Sequence, residues 1–471
     1  MDDFDEMEDV LSEHETFLNA VRKNNLEEAT RCLSNHQHLN IDKPTTTSKT
    51  ALFLALENKN VAMVKLLLWH GADVNLVSYC QTYSLFETPI TTATRLQHSE
   101  LIELFLMHGC QMEYVASPSG KSALQWAATY GDIYLADMFI LHGADINWIG
   151  PYLHTALHYA TIAEQPSMVL WLLQHGAKPS VNGDGRSPLH IAAVHGSVRT
   201  VEHLLNYGCI FQVRDNFNFM PFSLACLRGH ISVIKLFVDK VGKQGVDIND
   251  GLHRATETGC LEVIQYLFDH GAEINSRNSV GETALSIASS RGQYQSILVL
   301  LELGAEMNTI DSRNYSPLLL SMMREHIDIV KTLIIHGADV TSAHRLAKNP
   351  LKMAFTFGNP IIIKYFIMAG CPVYHEPWFN VTTIESRLRE SEFSISAPMR
   401  FNKETKIIKE TWNWLKMHVN SPKSLKEVAR IAVRQQMLLA THGKSILNEV
   451  EMLPIPKAIQ SYVILNNIVT E

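Results

Sequence analysis

The sequence predicts an all-α solenoid of about eleven stacked helix pairs, closed at its C-terminal end by a small module of three helices. Three observations predict it. A glycine recurs with a period near 33 residues, an apolar pair stays in fixed register to that glycine, and the period stops after residue 375.

The glycines stand at 71, 109, 143, 176, 208, 271, 304, 337 and 370, most of them after a histidine. The single gap of 63 residues holds two units, the first ending near Asp247-Ile248-Asn249. Seven residues before each glycine stand Val64, Ile102, Ala136, Val169, Val201, Ile264, Ile297, Val330 and Ile363. Four residues before stand Leu67, Phe105, Phe139, Leu172, Leu204, Leu267, Leu300, Leu333 and Phe366. That spacing is one face of a helix, so each glycine sits where a left-handed turn ends one.

Ahead of each such helix lies a second apolar run. The runs are TALFLA (50–55), SALQWAA (122–128), TALHYA (155–160), SPLHIAA (187–193), TALSIA (283–288) and SPLLLS (316–321). Their Thr or Ser suits a helix N-cap, and the proline suits a first turn. A short polar stretch such as ADVN, ADIN or AEIN follows each glycine. The unit is therefore helix, turn, helix, extended loop. It resembles the ankyrin repeat in its TPLHxA-type helix start, its Gly229-His230 turn and its GADVN-type exit, over residues 15–375. The first unit (near 15–41) and the last (near 349–375) diverge most, as the ends of a stack must, each facing water on one side.

Composition removes several alternatives. A hydrophobic content of 46% and an aromatic content of 8% suffice for a large core. A net charge of −8 gives no basic surface for nucleic acid. Seven scattered cysteines, at 32, 80, 110, 209, 226, 260 and 371, with no CxxC pair, fit a reducing compartment. Cys110, Cys209 and Cys371 each follow a repeat glycine where sister units carry alanine, so they read as small packing residues. Residues 1–14 form an acidic tail, unlike a signal or transit peptide. No apolar run nears the ~18 residues that span a bilayer. A cytoplasmic protein with access to the nucleus is expected, with no membrane contact. His158, His190 and the histidines before the glycines recur at equivalent positions, so a structural role is expected of them rather than metal binding. No nucleotide, metalloprotease or hydrolase motif occurs, so neither catalysis nor a cofactor is expected.

Beyond the repeats, residues 376–420 read as a linker with a connecting helix at 403–418, whose Ile408, Trp412 and Leu415 share a face. In residues 421–471, Ser424-Leu425-Lys426-Glu427 forms a capping box. Leu425, Val428, Ala429, Ala432 and Val433 then make a narrow apolar stripe. Leu453-Pro454-Ile455-Pro456 follows, fixed in an extended shape by its prolines. The arrangement resembles the SOCS box, and the whole chain is similar to the ankyrin repeat and SOCS box family. That resemblance implies an elongin B/C site at Ser424, Leu425, Val428, Ala429, Ala432 and Val433, with Ala429 where the family's motif asks for Cys. It also implies a cullin-5 site at Leu453, Pro454, Ile455 and Pro456, whose Leu-Pro-aliphatic-Pro pattern is met in full.

The implied function is a substrate-recognition adaptor of an elongin B/C–cullin-5–RING ubiquitin ligase, holding an unknown target protein on its repeats and promoting its ubiquitination. The rival is an ankyrin scaffold that recruits no ligase. Registering the repeats puts Tyr130, Trp148, Tyr152, His154, Arg186, His195, Phe217, Phe219, Arg228, Arg313, Tyr315 and Arg324 near the concave surface made by the loop tips and the exposed side of each first helix. Aromatic and arginine side chains of this kind anchor interfaces. The long loop 75–87 is a second candidate surface.

Overall fold

In the computed structural model the described residues are 13–35, 39–80, 85–113, 120–340, 350–357 and 360–369, with single positions 386 and 413. They contain eleven helix pairs. The first is α1 (13–22) with α2 (Leu26–Asn35), then α3 (Ala51–Glu57) with α4 (Val61–Trp69) and α5 (Pro89–Arg95) with α6 (Ser99–Met107). Next come α7 (Ala123–Tyr130) with α8 (Ile133–Leu141), α9 (Ala156–Ile162) with α10 (Pro166–Gln174), and α11 (Pro188–His195) with α12 (Val198–Asn206). The pair α13 (Pro221–Arg228) and α14 (Ile231–Val241) is crossed by the boundary between two compact units, at Leu224/Ala225, Ile231/Ser232 and Lys240/Val241. The second unit continues with α15 (Ile248–Thr258), α16 (Leu261–Asp269), α17 (Ala284–Arg291) and α18 (Tyr294–Glu302). It goes on through α19 (Pro317–Met323), α20 (Ile327–His336), α21 (Pro350–Phe357) and α22 (Pro360–Met368). Helix α1 already includes residues 13 and 14, and His14 is buried beside Phe17.

Helices of seven to eleven residues are too short to hold their shape alone, so capping and packing must define them. Thr50, Thr88, Ser122, Thr283 and Ser316 each accept a hydrogen bond from the third residue of the helix they open. Pro89, Pro188 and Pro317 occupy first turns, where a missing N–H costs nothing. At the other end, Gly71, Gly109, Gly143, Gly176, Gly208, Gly271, Gly304 and Gly337 all have positive φ, from 70° to 111°. The histidine ahead of several of these glycines returns a ring nitrogen to its own helix. Nδ1 of His108, His142, His175, His270 and His336 lies 2.8 or 2.9 Å from a carbonyl oxygen four residues back. That takes up an otherwise orphaned acceptor.

The register residues form the core. All eighteen, from Val64 and Leu67 to Ile363 and Phe366, have 0% exposure. In the first unit α3, α5, α7, α9 and α11 stack side by side, and α4 packs on α6 and α10 on α12. In the second, α15, α17 and α19 stack while α16, α18, α20 and α22 form the other layer. Cys110 and Cys209 are buried in the positions their alanine sisters hold, and burial pushes both thiols up to about 11.

Loops are joined by a second device. Asp42, Asn75, Glu113 and Asn147 accept the backbone N–H of Asp73, Gln111, Asp145 and Lys178, at 2.7–3.1 Å, each one pair further along. Asn275 and Asn308 do the same for Glu306 and Asp339, both at 2.9 Å. The acceptor of the GADVN-type exit thus fixes the spacing of neighbouring loops.

Two places depart from expectation. Asp247-Ile248-Asn249 is not an exit loop. Asp247 is the N-cap of α15, accepting from Asp250 N at 2.9 Å, so the extended loop between α14 and α15 is missing. Asn249 keeps its bridging role nonetheless, accepting from Glu273 N at 2.9 Å. The loop at 75–87 carries an antiparallel hairpin, β1 (Ser78–Cys80) with β2 (Leu85–Glu87), in a fold that is otherwise helical among the described residues. Its base is anchored inward. Ser78 accepts from Thr50 N at 3.1 Å, and Glu87 receives a two-pronged bond from Arg95 at 3.0 and 2.8 Å with both side chains nearly buried.

Phe139→Ala in α8 should cost about 3–5 kcal/mol, because a fully buried ring leaves a cavity its neighbours cannot fill. Urea unfolding checks this, and a cost under ~1 kcal/mol would remove Phe139 from the core.

Candidate functional site

Loop tips and first-helix ends carry the candidate residues, and the same backbone chemistry builds each tip. In the first unit Asn182 accepts from Asp184 N and Arg186 N at 3.0 and 2.9 Å, which closes a tight turn. Asp215 repeats this for Phe217 N and Phe219 N at 3.0 and 2.9 Å. Buried Asp215 also accepts from Arg186 Nε at 3.0 Å, and the Arg186 guanidinium lies 5.7 Å from the Phe217 ring centre. Two neighbouring tips are thereby held together, and Phe217 is left 63% exposed.

Tyr152 lies in a short 3-10 turn (Pro151–Leu153) with φ 58°, its ring 66% exposed and its carbonyl accepting from Gly183 N at 2.9 Å. His154 is half-buried beside Tyr159 and His158, 3.2 Å from Asn182 Nδ2, and burial lowers its pKa. Trp148 is half-buried against Gly150. Tyr130 donates its hydroxyl to Arg95 O at 3.2 Å and stacks on Trp126. His195 is exposed and 3.2 Å from Glu164. Phe219 is half-buried, its carbonyl held by His190 Nε2 at 3.1 Å. Structural burial therefore claims part of Trp148, His154, Tyr130 and Phe219, while Tyr152, Phe217 and Arg186 remain accessible.

Sequence reasoning missed the centre of this surface. Lys121 Nζ lies 4.4 Å from the ring centres of both Trp126 and Tyr159, and burial lowers its pKa. A cation between two aromatic faces is held in place without an acidic partner. The signal was available. Trp126 and Tyr159 both stand four residues after a cap, at Ser122 and Thr155, so they share one register position.

In the second unit the tips repeat this construction at Asn278 and Asp311. Arg313 donates to Asp311 Oδ2 at 3.0 and 2.8 Å and to Glu282 at 2.7 Å, and the bond to Asp311 raises its pKa. Its guanidinium lies 5.8 Å from the Tyr315 ring centre. Arg313, Tyr315 and Arg324, three of the candidates, line one cavity of about 630 Å³ together with Arg291. Arg228 is exposed at the end of α13, at the position Arg291 holds on α17.

His158 and His190 are structural. His158 Nδ1 accepts from Thr155 N and Oγ1 at 3.2 and 2.9 Å, while Nε2 donates to Arg186 O at 3.3 Å in the next loop. His190 repeats the pattern with Ser187 and Phe219. Burial holds His158 down to about 4 and lowers His190 as well.

A family model described as ankyrin repeats (3 copies) matches residues 2–78, 130–215, 157–250, 189–278, 222–311 and 285–376. One described as SOCS box matches residues 421–464. The chain belongs to the ankyrin repeat and SOCS box family. Both modules are adaptors rather than catalysts, which makes the chain a SOCS-box substrate adaptor in outline. Tyrosine-protein kinase Shark of Drosophila melanogaster is similar, 32% identical over 143 residues that make up 29% of this chain and 15% of that protein. Palmitoyltransferase ZDHHC17 of Danio rerio is 29% identical over 234 residues, 47% of this chain and 36% of that protein. The chain therefore spans a minor part of these curated relatives. The solved human ASB11 ankyrin repeat domain shares 24% identity at a TM-score of 0.39, covering 43% of this chain and 92% of that one. Ser424, Leu425, Val428, Ala429, Ala432 and Val433, with Leu453, Pro454, Ile455 and Pro456, fall inside the matched box and outside the described residues. Among the described residues no helix is long and apolar enough to cross a membrane.

Proposed function

We propose that this chain is the substrate-recognition adaptor of an elongin B/C–cullin-5–RING ubiquitin ligase, working in the cytoplasm. The observation that carries the reading is a SOCS-box match at 421–464 placed behind eleven helix pairs. In this arrangement the box at 421–471 holds elongin B/C by Leu425 and its stripe, and cullin-5 by Leu453 to Pro456. The linker at 376–420 joins it to the repeats at 15–375. The repeats hold the target with loop tips and first-helix ends, where Phe217, Tyr152 and the cavity beside Arg324 are accessible. No bond is made or broken by the chain. It raises the effective concentration of target lysines near a charged conjugating enzyme, and tethering of this kind is worth a factor of ~10²–10⁴.

Affinity capture of the full chain from cells tests the reading. Elongin B, elongin C and cullin-5 should copurify with it, and ubiquitylated partners should accumulate when the proteasome is blocked. Capture of partners without any elongin would leave the ankyrin scaffold, which Ala429 in the usual Cys position favours.

A further inference from the structure

The cavity in the second unit has a charge arrangement that the loop tips alone do not explain. Its floor is apolar, with Ile287 and Leu320 nearly buried and Met323 at the rim. Its carboxylates are already matched. Glu257 is held by Arg254 at 2.7 Å and Glu282 by Arg313 at 2.7 Å. Two cations that line the cavity have no such partner. Arg291 ends α17 and Arg324 caps α19, and both are exposed. Among the described residues neither guanidinium forms a hydrogen bond or an ion pair. They occupy one register position 33 residues apart, each just before the left-handed residue that ends its helix, Gly292 or Glu325.

From this geometry we infer that the groove along α17 and α19 takes an extended acidic segment of the bound protein, with Arg291 and Arg324 each meeting a carboxylate. The inference rests on the adaptor reading only in making that bound protein the target. Packed helices lie about 10 Å apart. An extended chain advances about 3.3 Å per residue and alternates faces, so carboxylates on one face stand an even number apart, and four residues, about 13 Å, is the spacing that spans the two helices. The residue midway between them, on the same face, would lie over Ile287 and Leu320. Carboxylate is favoured over nucleic acid because only two uncommitted cations line this cavity, in a chain of net charge −8, whereas phosphate backbones call for a continuous basic stripe.

The test is fluorescence anisotropy on the full chain with a labelled twelve-residue peptide. The peptide carries two glutamates four apart, a leucine midway between them on the same face, and Gly/Ser elsewhere. The wild type should bind it, with affinity that falls as salt rises. Replacing both glutamates by glutamine, or combining Arg291→Ala with Arg324→Ala, should each weaken binding at least about tenfold, roughly the size expected for two charge pairs. Both arginines are exposed, so the urea midpoint of the double variant should stay unchanged. The charge-reversed variant, Arg291→Glu with Arg324→Glu, should instead prefer the peptide with lysines in place of the glutamates. Equal binding of the glutamate peptide by wild type and double alanine variant overturns the inference. So does tighter binding of a uridine oligonucleotide that the double variant loses. Elongin capture, read on the same variants, reports separately on the box and should not change.

Discussion

Leu425→Asp is expected to abolish copurification of elongin B/C and, through it, most ubiquitylation of captured partners. Leu425 follows the capping serine and is the one leucine of a narrow stripe otherwise made of Val and Ala, so no neighbour in the stripe can take over its contact. Withdrawing a buried leucine forfeits about 1.5–3 kcal/mol. Placing an unpaired carboxylate against the partner's apolar groove adds several more. The sum corresponds to a loss of about a thousandfold or greater. Pro454→Ala with Pro456→Ala should act differently, releasing cullin-5 while elongin stays bound, because the prolines preset an extended shape rather than fill the helix groove. Loss of both partners in the proline variant would mean a misfolded module. Ala429 gives a gain in the opposite direction. Ala429→Cys restores the sulfur that the family's motif asks for, and about 1 kcal/mol of packing should tighten elongin binding roughly fivefold. Unchanged elongin capture by Leu425→Asp would end the ligase reading.

The repeat fold was legible because it is written many times over. One helix with Val at one position and Leu three residues later says little. Nine copies in register to a glycine say where the core is, and all eighteen register residues are fully buried. The same repetition made the histidines legible, since a residue recurring at helix ends is placed there by the helix. Where repetition lapsed, inference slipped. Asp247-Ile248-Asn249 mimics an exit loop in sequence, but it lacks the loop residues that should follow, and the chain passes directly into α15. The hairpin at 78–87 has no sister copy, so its pairing could not be read by comparison.

The candidate surface was legible in place but not in chemistry. Register assigns Arg313 and Arg324 alike to one face. Only the three-dimensional structure separates Arg313, committed to Asp311 and Glu282, from Arg324, which is not. Lys121 escaped notice for the converse reason. Its ring partners sit on the stacked helices α7 and α9, and no acidic residue nearby in sequence marks it. Pairing across repeats depends on side-chain reach, and a linear pattern does not record reach.

A second large effect is expected from pH. His158 must be neutral to do its work, accepting from Thr155 with Nδ1 and donating to Arg186 O with Nε2. Protonation destroys the acceptor. Burial therefore lowers its pKa from the ordinary 6.5 to about 4, and lowers that of His190 in the same sense. With the folded value depressed, the unfolded chain binds more protons between those limits. The histidine's contribution is complete above pH ~6.5, is lost as pH falls towards 4, and amounts to about 3 kcal/mol for His158 at 1.36 kcal/mol per unit. The molecule contains its own control. In the pair before, Gln125 stands at the same register position, accepting from Ser122 N at 3.1 Å and donating to His154 O at 2.9 Å. It makes both bonds without titrating. His158→Gln with His190→Gln should therefore fold normally at pH 7. Urea unfolding between pH 6.5 and 4 should then show a slope reduced by up to one proton for each histidine replaced. Carboxylates contribute equally to both proteins in that range and cancel in the comparison. An unchanged slope would mean that neither histidine is held neutral in the fold. A collapse of stability already at pH 7 would mean that Gln125 is not the equivalent its geometry makes it.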